Sequence, residues 1–253
     1  MATLLLFVFA SPISQQASGQ ESAGASPAAP STIELHFTKN PDITGIWTHH
    51  PDKSARSYAG CCFMDPKAVD PLMTDWAKAK FAQNKPGYGP HEVALGSNDP
   101  TLKCDPPGVP RIYMHLFPIQ FVQLPGMVLE LFEYDHFVRR IYTDGRGHPK
   151  DLESTWMGDS IGHWEGDTFV VDTVGLNDKT WIDRDGHPHS DKMHVIERIH
   201  RVGTDTLKVG ITVDDPVAYT KPLVGEMTFQ ARPDWHIEEH ICEDNVNDAD
   251  LEK

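Results

Sequence analysis

The clearest hydrophobic pattern in the chain is the alternation across Thr206–Val213. Leu207, Val209, Ile211 and Val213 fall on one side, and Lys208, Gly210 and Thr212 on the other. A period of two marks a half-buried strand. Similar short runs rich in Val, Ile, Phe, Tyr and Thr fill the chain from Arg111 onward. Arg111–His115, Ile119–Leu124, Met127–Tyr134 and Phe137–Thr143 read as four strands. Pro125-Gly126 and Asp144-Gly145 punctuate them. Ser160–Trp164 and Thr168–Val174 flank the turn Glu165-Gly166-Asp167, and Met193–Val202 and Thr206–Val213 flank Gly203-Thr204-Asp205. Gly225–Ala231 and His236–Cys242 flank Arg232-Pro233-Asp234. The pattern predicts an antiparallel meander of roughly ten strands in about 130 residues. Closing such a sheet into a barrel is the simplest way to remove its edges.

Upstream the texture differs. Asp42–Trp47 starts the ordered part. Pro71–Asn84 (PLMTDWAKAKFAQN) places Leu72, Trp76, Ala79 and Lys80 near one helical face and stops at Lys85-Pro86-Gly87. Residues 85–110, rich in proline and glycine, form a long structured loop. The expected fold is therefore all-β: an antiparallel barrel with one N-terminal helix and a long Pro-rich loop.

The two ends suggest a compartment. Residues 1–19 carry the apolar run LLLFVFA (4–10), followed by small and polar residues, as in a secretory signal, although no Lys or Arg precedes Lys39. Residues 20–34 read as a flexible linker, 35–245 as a single barrel domain and 246–253 as an acidic tail. The protein is expected to be exported, to the periplasm or beyond the cell. Four cysteines, Cys61, Cys62, Cys104 and Cys242, are compatible with disulfides there. Adjacent Cys61 and Cys62 rarely bridge each other, because the ring strains the intervening peptide. Cys104 with Cys242 is the preferred pair; it would tie the N-terminal segment to the last strand.

Charge narrows the partners. Acids outnumber bases by 37 to 22, a formal charge of -15. Nucleic-acid binding and docking on an anionic membrane both call for the opposite sign. No apolar run reaches the roughly 18 residues of a membrane-spanning helix. The expected partner is a small molecule. Gly-x-Ser-x-Gly, Walker, Gly-x-Gly-x-x-Gly and His-Glu-x-x-His motifs do not occur, which weakens serine-esterase, nucleotide-binding and common metalloprotease readings.

Two resemblances enter here. Gly45-Ile46-Trp47 ahead of a meander resembles the lipocalin-like (calycin) barrels. The likeness implies a Trp that plugs one barrel end and a small apolar ligand enclosed within. The strings DWAKAKF (75–81), NDPTLKCDPPGVPR (98–111), FEYDHFVRRIYTDGR (132–146), WMGDSIGHWEGDTFVVDT (156–173), NDKTWIDRDGHPHSDKMHVIER (177–198) and DDPVAYTKP (214–222) resemble a widespread family of exported bacterial proteins. That likeness implies export, a single unit and a matched Cys104–Cys242 pair. It carries no reaction with it.

The densest polar stretch is Asn177–Arg201, with four of the chain's 14 histidines. His187, His189, Asp191 and His194 form a candidate set for Zn, Cu or Fe, since imidazole and carboxylate suit all three. His187-Pro188-His189 resembles the two-histidine step of cupins, but Met193 and His194 stand where the following Glu belongs. The alternative is a polar loop whose histidines cap strand ends. In the strand before Thr206, one register turns Val195, Glu197 and Ile199 inward, and this buries fewer charges than the other. A lone inward carboxylate at Glu197 would have its pKa raised and serve as general acid or base. Its inert alternative is an ion pair with an Arg such as Arg139. Glu130, Phe132, Tyr134 and His136 share one strand face, where His136 beside Tyr134 forms an acid/base or ligand-orienting pair. Trp181 and Asp178 at a strand end suit stacking on, and orienting, a cyclic ligand. Phe132 and Arg198 complete the candidate substrate-binding set.

Three functions suit these residues. The first is an exported, cofactor-independent lyase, isomerase or hydrolase whose barrel cavity holds a small cyclic or aromatic compound, with Glu197, His136, His187 and His189 as acid/base groups. The second is a non-catalytic binding protein of the same shape. The third is a metal-dependent enzyme built on the His187–His194 segment.

Overall fold

A computed structural model of the chain describes residues 41–49 and 62–243, all within the unit Leu35–Lys253. The signal-like segment, the linker, the acidic tail and Cys61 lie outside the described residues. Among the described residues, nine strands close into one barrel in chain order. They are β1 (Gly45–His49), β2 (Ile119–Leu124), β3 (Met127–Phe132), β4 (Val138–Tyr142), β5 (Asp159–Glu165), β6 (Thr168–Val174), β7 (His194–Val202), β8 (Thr206–Asp214) and β9 (Leu223–Ala231). The all-β barrel read from the alternation is what the chain forms.

One junction is not antiparallel. A closed ring of strictly alternating strands needs an even number, so an odd barrel must hold a parallel pair. Here β4 and β5 supply it, through only two residue pairs, Ile141↔Ser160 and Tyr142↔Ile161. Residues 143–158 return the chain to the end of the barrel where β4 began.

The interior follows the pleat. On β8, Leu207, Val209, Ile211 and Val213 are fully buried. Their partners on β7, Ile199, Glu197 and Val195, point to the same side, so the register that buries Glu197 is the one adopted. Trp47, Phe121, Phe132, Phe169 and Phe229 fill the same core. Trp47 donates its indole N–H to the Ile43 carbonyl at 3.0 Å, and the Arg201 guanidinium lies over its ring.

Several segments depart from the sequence reading. Arg111–Met114 is a 3-10 turn, not a strand. It follows Pro110, which has no N–H to offer a ladder, and all four of its side chains are buried. His236–Cys242 forms no strand; the Cys104–Cys242 disulfide, with Cα atoms 5.6 Å apart, ties it down. Cys62 is buried and also disulfide-bonded.

The expected helix at 71–84 is shorter. It is preceded by α1 (Pro66–Val69) and a 3-10 turn at Asp70–Leu72. The Met73↔Tyr219 bridge interrupts it, and α2 (Asp75–Phe81) restarts with the Thr74 hydroxyl accepting the Ala77 N–H. Beyond Phe132 the chain leaves β3 for a turn in which Asp135 and His136 take positive φ of 51° and 53°. Tyr134 and His136 therefore share no strand face with Glu130 and Phe132. No helix among the described residues is long and apolar enough to cross a membrane.

Candidate functional site

The ionisable groups anticipated from the sequence fall into separate places. Glu197 lies inside the barrel and is not alone. Arg139 on β4 donates to Glu197 through both terminal nitrogens and reaches Glu130 on β3 at 3.1 Å. The same guanidinium donates to the Tyr113 hydroxyl at 2.9 Å, Thr173 at 2.8 Å and Ser160 at 3.1 Å. Tyr113 in turn donates to Glu130 at 2.6 Å. Every donor of Arg139 is used, and both carboxylates are fully buried. Glu197 thus takes the ion-pair role rather than that of a free acid or base. Burial raises Glu130 to about 7: Arg139 opposes the rise and Glu197 adds to it. Phe132 is core beside this network.

His136 and Arg198 are exposed, and Arg198 pairs with Glu165 on the outer wall at 2.8 Å. Neither faces a cavity with the other candidates. Tyr134 is buried, its ring stacked on His115 at 4.2 Å. The metal set is dispersed as well. His194 bonds Asp172 at 2.7 Å, Asp191 is exposed beside Lys192, and His187 lies between two other carboxylates. Among the described residues, no group of three or more His, Cys, Asp or Glu side chains is placed to hold a metal ion.

His187 belongs to a chain of alternating acids and imidazoles. Its Nδ1 is 2.6 Å from Asp183 and its Nε2 3.1 Å from Asp70. His91 lies 3.6 Å from the same Asp70 and 2.6 Å from Asp185. Phe81 stacks on the His187 ring at 4.8 Å. Burial pulls the His187 pKa down, but Asp183 and the bond to Asp70 prevail and push it up to about 9. This network joins the turn after α1, the loop before the Pro-rich segment's midpoint and the 183–187 loop. Asp183 also accepts the backbone N–H groups of Asp185 and His187, a local turn of the kind Asp favours.

Two residues on, His189 is placed differently. The Trp181↔Pro188 bridge and the Ile182 N–H to His187 carbonyl bond pinch the loop shut. Tyr219 donates to the Pro188 carbonyl at 2.7 Å, and Asp215 accepts the Ser190 N–H and hydroxyl at 2.6 and 2.8 Å. The backbone is thus fixed on both sides of His189. Its Nδ1 is 3.1 Å from the Ser190 carbonyl. A carbonyl only accepts, so Nδ1 carries the proton and Nε2 keeps a lone pair. That Nε2 is buried and has no partner. Burial holds the imidazole below the usual histidine range, so it is neutral at pH 7.

His189 lines a cleft of about 230 Å³, with Trp181, Thr180, Asp178, Lys179, Lys80 and three amide side chains. Two of those amides are committed to the scaffold: Asn84 donates to the Gly186 carbonyl, and Asn98 bridges Lys85 N–H and the Gln83 carbonyl. Asp178 is exposed and close enough for its charge to act on His189. The cleft therefore joins three of the residues expected from the sequence, Asp178, Trp181 and His189. It lies between α2 and the 178–189 segment, apart from the Arg139 network within the barrel. Lys80, Lys179, Asp215 and Tyr219 were not foreseen. Helical spacing gave no hint that Lys80 would face this loop.

No family model, curated protein or solved structure matches the chain.

Proposed function

We propose that this protein is an exported acid–base enzyme acting on a small polar, cyclic compound held in the cleft beside the barrel. The observation that carries the reading is His189, a neutral imidazole with its Nδ1 proton committed and its Nε2 lone pair unclaimed at a polar cleft. Such a group accepts a proton from carbon or oxygen at neutral pH. Trp181 offers a stacking surface. Lys80 and Lys179 stabilise negative charge that develops on an oxygen when the proton leaves. Asp178 steadies the imidazolium that results. Elimination, isomerisation and hydrolysis all use these parts, and none requires an organic cofactor. The Cys104–Cys242 disulfide supports export, because such bonds persist in oxidising compartments. The closed barrel with Gly45-Ile46-Trp47 on its first strand supports a lipocalin-like lineage.

A second reading, a binding module, has its own support: Nε2 is buried behind the cleft lining, so a base would need the ligand to open the site. Both readings are tested together. Small molecules that co-purify with the protein, identified by mass spectrometry, supply the ligand. His189→Gln then retains binding, read by Trp181 fluorescence, and loses roughly 100- to 10,000-fold in turnover. Turnover unchanged in His189→Gln removes the base; no turnover of any bound ligand leaves the binding module.

A further inference from the structure

Behind Trp181, away from the cleft, lies a second group of polar side chains with unused hydrogen-bonding capacity. Arg111 is fully buried. Its guanidinium reaches Asp99 at 2.5 Å and the Thr101 hydroxyl at 3.3 Å, both through a single terminal nitrogen. Nε and the other terminal nitrogen have no partner. Trp181 covers a face of the group, its ring centre 5.2 Å from Cζ, and a ring face supplies no in-plane acceptor for those N–H bonds. Asp99 is already shared, since it accepts the N–H and hydroxyl of Thr101.

His115, at the end of the same 3-10 turn, is buried and leaves its Nε2 unpartnered. Arg184 lies near enough to both to act on their charge, with its guanidinium over the Tyr88 ring. Asp135, which is near enough to Tyr134 to act on its charge together with Arg111, accepts the Cys242 N–H. Unmet donors on a buried guanidinium cost more than almost any other local defect. Two such donors on Arg111, with the unpartnered His115 Nε2 four residues on, indicate that an acceptor belongs here.

We propose that Arg111 and His115, with Arg184 at the edge, form a binding site for a small oxyanion, a carboxylate or a phosphate. The oxyanion oxygens accept from Nε and the free terminal nitrogen of Arg111 and from Nε2–H of His115. Guanidinium geometry suits both ligand forms. Neither Arg111 nor His115 lines the His189 cleft, and the proposal does not depend on the enzyme reading.

The test uses the full chain. Uniformly ¹⁵N-labelled protein is titrated with sodium phosphate and, separately, with sodium acetate, against sodium chloride at equal ionic strength. The arginine Nε–H resonances are followed, that of Arg111 being assigned by its loss in Arg111→Lys. The expected result is a saturable shift of the Arg111 signal with one or both oxyanions and not with chloride. A matching rise in melting temperature accompanies it. A response to phosphate alone assigns a tetrahedral anion, and one to acetate alone assigns a carboxylate. Arg111→Lys should bind at least about tenfold more weakly. If that variant does not fold, His115→Gln provides the same comparison. No saturable shift with either oxyanion overturns the proposal, as does unchanged affinity in the folded variants.

Discussion

Replacing Glu130 by Gln should stabilise the protein above pH 7 and give no gain below pH 5. Inside the barrel one cation, Arg139, faces two carboxylates, and none of the three is more than 2% exposed. Burial, only partly opposed by Arg139 and reinforced by the charge of Glu197, raises Glu130 from 4.5 to about 7. A raised carboxyl pKa means that the folded state binds this proton more tightly than the unfolded chain does. The stabilisation is complete below pH 4.5 and is lost as the pH rises through about 7. The rise from 4.5 to about 7 corresponds to at most about 3 kcal/mol. Glutamine stays neutral at every pH. Its oxygen can accept from Arg139 while its amide faces the Tyr113 oxygen, and the Tyr113 proton loses the acceptor it has in Glu130. Leaving that buried proton unpaired costs about 2 kcal/mol, which leaves a net gain of about 1 kcal/mol at pH 8.5. For a domain of about 200 residues that raises the melting temperature by roughly 2–4 °C. Scanning calorimetry of both proteins from pH 5 to pH 9 should give curves that cross. A Gln variant that stays below the wild type by a constant gap would refute the argument. Glu197→Gln is the contrasting control: it removes the paired acceptor of Arg139 and should lower stability throughout.

Three further outcomes follow from the fold. The His187 pKa, raised from 6.5 to about 9, gives a contribution that is complete below pH 6.5 and lost as the pH rises through 9. His187→Gln should therefore cost about 3 kcal/mol more at pH 6 than at pH 9.5; urea titrations showing equal losses at both would exclude it. The Cys104–Cys242 bond closes a loop of sequence separation 138, worth about 5 kcal/mol in the chain-entropy model. A Cys104→Ser/Cys242→Ser variant should show that loss in chemical denaturation, and a loss under 1 kcal/mol would contradict it. On β9, a Cβ at Gly225 would overlap the Phe63 carbonyl, so Gly225→Ala should destabilise by about 1–3 kcal/mol. Gly210→Ala on β8, where the nearest atoms are 3.8 Å away, should be tolerated by comparison.

What the sequence made legible was periodic. Leu207, Val209, Ile211 and Val213 announced β8, and the same pattern carried Glu197 inward on β7. What it hid depends on contacts between distant segments. The parallel β4–β5 pair is a matter of strand count, which single-strand patterns do not register. Arg111–Met114 looked like a strand because its residues are apolar and aromatic, yet its burial comes from a turn after Pro110. The 187–194 histidines looked like one metal set because they are close in sequence. Asp70, Asp183 and Asp172 draw two of them to different partners. Asp178, Trp181 and His189 were anticipated as site residues, but the helix that completes their cleft lies about a hundred positions earlier, beyond the reach of local spacing.

The position of the Arg139 network explains why a barrel would keep charges in its core. The β4–β5 seam has two residue pairs, where β7–β8 has nine. A seam so short has little to fix its register, and a slip of one residue would turn each side chain to the other face. Arg139 stands on β4 and donates across that seam to Ser160 on β5, then to Thr173 on β6 and Glu197 on β7, while Glu130 holds it from β3. Five consecutive strands therefore share one guanidinium, and only the observed register satisfies all its donors. A hydrophobic substitute of similar volume would remove the burial cost of three charges, yet it would offer no directional bond across the one junction whose ladder is too short to align itself. Asp183 and Asp215 perform the same task for His189, holding the backbone on either side of one unclaimed nitrogen.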